Sequence, residues 1–398
     1  MEDTDRLRDW LASVSGVEWV WFAKRLSAND TGATGGHQVG LYLPKDIAFK
    51  IAPSLKANSL NPRLTLSLYL ASHSQRSDPA VIYYNNRVIG GGTRDESRIT
   101  GFGGRASAIQ DVENTGALLL LAFRLGTIQS QGWMARSTDE EAVLEESVGP
   151  VEPGEIVAKA PDAKGREELV ENLIGPETCK PLISELPRAW RKQFPHGQEL
   201  TDEAAKRAGS NIQVDRRLVT RYRCEFSLFK VVEEAHTLPL VRNGFKNIDQ
   251  FLAVAQATAQ RRKARAGRSL ELQLKNIFDE EQVQYSFHAP TEMGRVPDFV
   301  FPSIARYDAA PKAGSKDLRI LAVKTTLKDR WRQVLDEAAK VPQKHLFTIA
   351  EGVSINQYKQ MVEGGIKLVI PAENHRKFPK EIRPGLLKLV GFIQLLKQ

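Results

Sequence analysis

Ile320-Leu321-Ala322-Val323-Lys324-Thr325-Thr326 is a short apolar run that ends in a lysine. Its length and its polar flanks suit a buried strand. A lysine leaving such a strand must face something polar, because an unpaired ammonium in an apolar layer is costly. Upstream, Pro297-Asp298 opens another strand-like run, Val296 to Phe301, with 25 residues between Asp298 and Lys324. Downstream, Glu337 follows after 12 intervening residues, on a helix expected from Asp329 to Lys340. Further strands are expected at Gln284 to Phe287, His345 to Ile349 and Ile366 to Ile370, with a helix from Ser354 to Glu363. Three helices precede them: one marked by Val219, Tyr222, Phe226, Phe229 and Val232 at spacings of three and four, one from Ile248 to Ala259, and one from Ser269 to Glu281 with Ser269 as N-cap. The order α, β, β, β, α, β, α, β is that of an α/β domain.

An acid on one strand, a lysine on its neighbour and a second acid on the next element form a set suited to metal-assisted phosphodiester hydrolysis. The carboxylates hold a divalent ion that polarises the phosphate and acidifies a water. The lysine orients that water or stabilises the developing charge. Bland readings compete at each position: Pro297-Asp298 is also turn chemistry, Lys324 can snorkel, and Glu337 can pair with Lys340 on an exposed helix face. The strand context and spacing favour the hydrolytic reading.

The surroundings agree with it. The 398 residues suffice for two or three domains. With 26% charged and 41% apolar residues, the composition is that of a folded soluble protein. The longest apolar stretch, Ala117 to Phe123, is too short to cross a bilayer, and the acidic start Met1 to Asp5 does not suit a signal peptide. No membrane association and a cytoplasmic location are expected. Cys179 and Cys224, 45 positions apart, offer neither a disulfide framework nor a zinc finger. Residues 1–200 carry 22 Lys and Arg against 26 Asp and Glu, net −4, whereas residues 201–398 carry 34 against 22, net +12. A basic half of this kind suits a polyanion.

Residues 1 to about 145 read as β-rich, from Trp19 to Phe22, Gln38 to Tyr42, Leu64 to Tyr69, Val81 to Tyr84 and Leu118 to Phe123. From Pro150 to His196 prolines recur around one short helical candidate, Arg166 to Leu173, as in a connector. The expected division is 1–165, 166–205 and 206–398. Nucleotide hydrolysis is not indicated, because no Gly-rich segment ends in Gly-Lys-Ser/Thr, and Gly101 to Ala106 lacks the βαβ context of a dinucleotide site.

The acid, lysine and displaced acid resemble the PD-(D/E)xK nuclease superfamily, with Ala322 where the usual second acid stands two positions before the lysine. The same displacement marks a subgroup of restriction endonucleases that cut CCGG or CCWGG sites. Lys324 to Gln333 and Lys263 to Glu271 resemble the EcoRII-like type IIE enzymes of that subgroup, and so do Lys24 to Tyr42 and Asp111 to Phe123 near the N-terminus. The resemblance implies an N-terminal β-rich DNA-binding pseudobarrel, akin to plant B3 domains, and a C-terminal α/β nuclease. It implies an Mg2+-dependent endonuclease cutting CCWGG-like duplex DNA. It further implies a homodimer that binds two copies of the site, one of them at an allosteric effector domain, and a cognate DNA methyltransferase in the same system.

Carried over residue by residue, Asp298, Lys324 and Glu337 form the hydrolytic centre, with Asp298 and Glu337 as metal ligands. Glu271 is either a supporting carboxylate of that centre or a glutamate favoured by a helix's first turn. Arg262, Lys263 and Arg265, within the run Arg261 to Arg268, together with Lys328, Asp329 and Arg330, are candidates to read base edges. Asp329 equally suits a helix N-cap. In the effector domain His37 and Tyr42 are implied DNA contacts. Arg94, Glu96, Arg98 and Arg105 lie in an expected DNA-facing loop, Gly92 to Arg105, where a surface charge pair is the competing reading. Other classes are a structure-specific repair nuclease and a DNA-binding regulator with an inactive nuclease half. Loss of Asp298 or Lys324 would mark the latter, and both are present.

Overall fold

The computed structural model describes residues 2–36, 39–160, 167–171, 179–209, 213–311, 315, 317–341 and 343–398. The chain divides into two compact units. The first is Met1–Asn172 with Ala350–Gln357 and Lys377–Glu381, and the second holds the remainder.

The first unit is β-rich, as expected. Its strands are β1 (Trp19–Arg25), β2 (Leu41–Leu43), β3 (Arg63–Thr65), β4 (Ser67–Leu70), β5 (Gln75–Ser77), β6 (Ala80–Tyr84), β7 (Glu96–Thr100), β8 (Leu118–Arg124), β9 (Gln129–Met134), β10 (Ile156–Ala160) and β11 (Glu167–Glu171). They form a seven-stranded sheet ordered β11-β10-β1-β8-β9-β4-β5 and a four-stranded sheet ordered β2-β7-β6-β3. Its helices are α1 (Glu2–Ser13), α2 (Lys45–Ile51), α3 (Asn86–Ile89) and α4 (Thr138–Val148). β8 shows why the unit holds two cores: side chains alternate across a strand, so Leu119, Leu121 and Phe123 enter one cluster with Val20, Phe22 and Ile47. Leu118, Leu120 and Ala122 enter the other, with Leu7, Trp10, Trp133 and Leu144.

Two expectations are corrected here. The segment Arg166 to Leu173 supplies no helix over its described residues: Glu167–Glu171 is β11, antiparallel to β10. The Gly92 to Arg105 segment is not wholly loop, since Glu96–Thr100 is β7 between β2 and β6. Lys24 and Arg25 end a buried strand, with Lys24 paired to Asp30 at 2.6 Å and Arg25 to Glu141 and to Glu145 (2.8 Å).

The second unit is α/β. Its helices are α5 (Arg188–Lys192), α6 (Gly197–Ala208), α7 (Val214–Asn243), α8 (Ile248–Glu280), α9 (Ile304–Ala309), α10 (Ile355–Glu363, whose first residues group with the other unit) and α11 (Leu389–Leu396). The sheet is β12 (Ser286–Phe287), β13 (Phe299–Phe301), β14 (Arg319–Val323), β15 (Lys344–Phe347) and β16 (Ile366–Val369), ordered β12-β13-β14-β15-β16. β12, β13 and β14 pair antiparallel, and β14, β15 and β16 parallel. Leu274, Ile277 and Phe278 of α8 pack with Phe299, Phe301, Leu321, Val323 and Phe347. That packing sets the long helix along one sheet face.

The expected helices Ile248 to Ala259 and Ser269 to Glu281 are one helix of 33 residues. Ser269 is no N-cap: its hydroxyl donates to Glu225 Oε2 on α7 at 2.6 Å, beside the Arg265 guanidinium on the same carboxylate. α8 runs through this position without a break. The cysteine reading is also corrected, because Cys179 and Cys224 are joined by a disulfide, Cα–Cα 5.1 Å, buried beside Trp190, Leu228 and Phe229. Distance along the chain is no guide to distance in the packed unit. No helix among the described residues is long and apolar enough to cross a membrane.

Candidate active site

The antiparallel register of β13 on β14 sets Phe299 opposite Leu321 and Val300 opposite Ile320, so one step further Asp298 stands across from Ala322. Residues directly opposite share a face, and Lys324, two residues on from Ala322, lies on that face as well. The missing acid is thus faced by an acid from the neighbouring strand. Asp298 is held there by its own hydrogen bond, Oδ2 accepting from the Val323 backbone N–H at 2.6 Å. Lys324 is half-buried, and its backbone N–H donates to the Phe347 carbonyl at 3.0 Å.

Three carboxyls feel the Lys324 charge: Glu271, Asp298 and Glu337. Burial raises the pKa of Asp298, against the opposing pull of Lys324, the Val323 N–H and His288. Burial, and then the charge of Asp298, raises that of Glu271, against His288 and Lys324. Burial pushes the Glu337 carboxyl up to about 7, with Lys324 opposing and Asp298 adding to the rise. Glu337 Oε2 is buried with no hydrogen-bond partner. A carboxylate oxygen left without a donor in the field of a second acid, Asp298, is an arrangement that a cation satisfies.

Glu337 reaches this place differently from expected. The segment after Lys324 forms no α-helix to Lys340; Arg330–Asp336 is a 3-10 helix, and Glu337 follows it in extended conformation. The tight coil starts after Asp329, whose positive φ of 50° breaks the chain direction. Asp329 makes no side-chain cap bond but pairs with Arg332. Nor does Glu337 pair with Lys340, whose ammonium donates to the Tyr307 and Asp308 carbonyls at 3.1 Å each. Asp336 points elsewhere, 3.2 Å from Arg295.

Glu271 lies within α8 rather than in a first turn, so the dipole reading of this residue does not apply. It meets a residue absent from the sequence expectations: His288 Nε2 lies 2.8 Å from Glu271 Oε2 and 3.8 Å from Asp298 Oδ1. Donor atoms of Glu271, His288 and Asp298 all lie within 4.8 Å of one another. Its signal in the sequence was only its place directly after the β12 strand.

The candidate DNA contacts fall into distinct settings. Lys263 is exposed on α8, whereas Arg262 pairs with Glu233 at 2.7 Å. Arg265 is buried, paired with Glu225 and set over the rings of Tyr222 and Phe226. That commits Arg265 to joining α7 and α8 instead of presenting an open guanidinium. Lys328 and Arg330 are half-buried and Asp329 exposed in the turn beyond Lys324. In the first unit, Tyr42 on β2 stands opposite Arg98 on β7, and Arg98 Nε donates to Glu96 Oε1 at 3.0 Å, so the charge pair is formed. Arg94 lies over the Tyr84 ring and Arg105 is exposed. His37 lies outside the described residues.

Comparison with known proteins matches residues 229–393 to the family model described as EcoRII C terminal, and residues 15–163 to that of restriction endonuclease EcoRII, N-terminal. The chain is 42% identical to the type II restriction enzyme EcoRII of Escherichia coli, over 97% of this chain and 96% of that one. It is 23% identical to the type II restriction enzyme SsoII of Shigella sonnei over 131 residues, 30% of this chain and 42% of that one. Among solved structures, metal-depleted Ecl18kI in complex with uncleaved, modified DNA is similar at TM-score 0.44 and 17% identity, over 56% of this chain and 84% of that one. The UbaLAI restriction endonuclease B3 domain with cognate DNA is similar at TM-score 0.27 and 20% identity, over 40% and 98%. Neither structural likeness reaches a TM-score of 0.5.

Proposed function

The chain belongs to the EcoRII family of type II restriction endonucleases, and on that premise we propose that it hydrolyses duplex DNA at CCWGG-like sites with Mg2+ as cofactor. The observation that carries the reading is the convergence of Asp298, Glu271 and Glu337 around Lys324, with the Glu337 oxygen left unsatisfied. The oxygen donors fit Mg2+, which prefers carboxylates and water. Asp298 and Glu337 hold the ion, and Glu271 supports it.

In this reading a bound Mg2+ supplies the Lewis acid that polarises the scissile phosphate and acidifies a water. The chain's own residues do the rest. The Val323 N–H holds the Asp298 carboxylate at the end of β14, beside Lys324. Lys324 stabilises the charge that develops on the phosphate oxygens, an interaction stronger in the transition state than before it. Lys328, Asp329 and Arg330 follow Lys324 closely enough to touch bases beside the cut phosphate, and Lys263 contributes a phosphate contact.

The reading extends to organisation. Residues 1–165, with β11 added to their sheet, form the effector domain, the rest of 166–205 is the connector, and 206–398 is the nuclease. Tyr42, Arg94, Glu96, Arg98, Arg105 and His37 meet a second copy of the site, and a two-fold homodimer matches the near-palindromic sequence. A methyltransferase of the same specificity protects the host DNA, and the pair works in the cytoplasm. Incubation with Mg2+ and phage DNA, with and without chelator, tests the core of this. Discrete fragments whose ends map to CCWGG-like sites are expected; sequence-independent cutting, or none with any divalent ion, overturns it.

A further inference from the structure

We infer that His288 is a cation ligand of the site, and that the Glu271, His288 and Asp298 position accordingly favours a first-row transition ion such as Mn2+ or Co2+ over Mg2+. The inference rests on the reading that Asp298 binds a divalent ion, and goes beyond it in adding a nitrogen donor and a selectivity.

The placement of His288 is built into the sheet. β12 pairs with β13 so that Phe287 stands opposite Phe299 and Ser286 opposite Val300. The next pair is His288 with Asp298, closed by the His288 N–H donating to the Asp298 carbonyl at 3.1 Å. The imidazole and the carboxylate come together there, Nε2 3.8 Å from Oδ1. The ring is held from below by Phe287, stacked at 3.9 Å with an interplanar angle of 19°. At φ 49° the backbone of His288 turns out of the strand, which brings Nε2 to Glu271 as well as toward Asp298.

The donor set decides the ion. Two carboxylates alone suit Mg2+, which takes oxygen ligands and gives up its water reluctantly. An imidazole nitrogen adds affinity for first-row transition ions and little for Mg2+. His288 Nε2, the atom aimed at both carboxylates, is the one that binds.

Pulsed electron paramagnetic resonance of the full chain loaded with Mn2+ reads this without any cleavage. Directly bound imidazole gives 14N modulation, and growth on 15N-imidazole histidine must convert it to the 15N pattern. In His288→Gln the nitrogen signal disappears, and Mn2+ affinity by titration falls about tenfold or more while Mg2+ affinity changes much less. No nitrogen modulation in the native chain overturns the inference, as does equal weakening of both ions in the variant. In either of those cases Mg2+-dependent cutting at discrete sites leaves the nuclease reading standing. Absence of bound Mn2+ and of any cutting removes both. If His288→Gln does not fold, the isotope substitution in the native chain decides.

Discussion

The Asp298 carboxylate accepts the backbone N–H of Val323 at 2.6 Å, so the acid before β13 is tied to the last residue of β14, next to Lys324. The bond gives Asp298 two separable jobs. Asp298→Asn keeps an oxygen for the Val323 N–H and loses only the charge. Its urea midpoint should stay close to that of the native chain, while cleavage falls by several orders of magnitude. Asp298→Ala orphans the N–H and should lose about 1–3 kcal/mol as well. Equal stability of the two variants would show that the bond contributes nothing.

Lys324→Ala should bind its DNA site nearly as well as the native chain and cut it several orders of magnitude more slowly, because its charge serves the transition state. Binding titrations beside single-turnover cleavage separate the two. Cutting at the native rate would remove Lys324 from the centre.

Neighbouring acids give a sharper contrast. Glu337→Gln should raise the Mg2+ needed for half-maximal cutting at least about tenfold, whereas Asp336→Asn, whose partner is Arg295 at the surface, should leave it unchanged. The same shift in both variants would return Glu337 to the status of a surface residue.

The pH dependence of stability carries opposite signs at two groups. Glu337 has its pKa raised to about 7 by burial, so its contribution to ion-free stability is full below the ordinary carboxylate range and is lost as pH rises to about 7. His345, lowered to about 4 by burial, acts in reverse: stability present above pH 6.5 is lost as pH falls toward 4. Each accounts for up to about 3 kcal/mol. Urea unfolding in chelator from pH 4 to 8 should show Glu337→Gln flattening the alkaline side and His345→Gln the acid side. Profiles parallel to the native one would refute the assignment.

Two basic residues on α8, two positions apart, should behave differently. Arg265→Ala leaves Glu225 buried without its cation and should cost about 3–5 kcal/mol. Lys263→Ala should change stability by no more than about 0.5 kcal/mol, and should weaken cognate and random DNA alike with a flatter salt dependence. Thermal unfolding and binding at several salt concentrations distinguish them.

What the sequence revealed and what it hid follows from the range of the interactions. Strands such as β8 and β14 announce themselves through local apolar runs, and Asp298 and Lys324 are legible because they flank such runs, one directly before β13 and the other directly after β14. β7 escaped because its half-buried, charged Glu96 and Arg98 alternate with buried Ser97 and Ile99 in a segment bounded by glycines. β11 escaped because a single apolar pair, Leu169-Val170, set between glutamates fixes neither period. Within α8, Ser269 bonds Glu225 on a helix more than forty residues earlier instead of capping a helix of its own, a partner that no local pattern encodes. His288 is the plainest case: only the pairing of β12 on β13 turns an unremarked histidine into a neighbour of Asp298.

The length of α8 gives the site a mechanical property. Glu271 shares one rod with Ile248, Phe251 and Leu252, apolar residues exposed at the far end. From Ile248 to Glu271 the rod runs about 35 Å at 1.5 Å per residue. A sideways shift of about 3 Å at that tip turns the rod by only about 5°, inside the roughly 10–20° within which a catalytic group stays aligned. The helix is therefore a reducing gear: a displacement of side-chain size at its far end would reach the Glu271 carboxylate only as a small rotation.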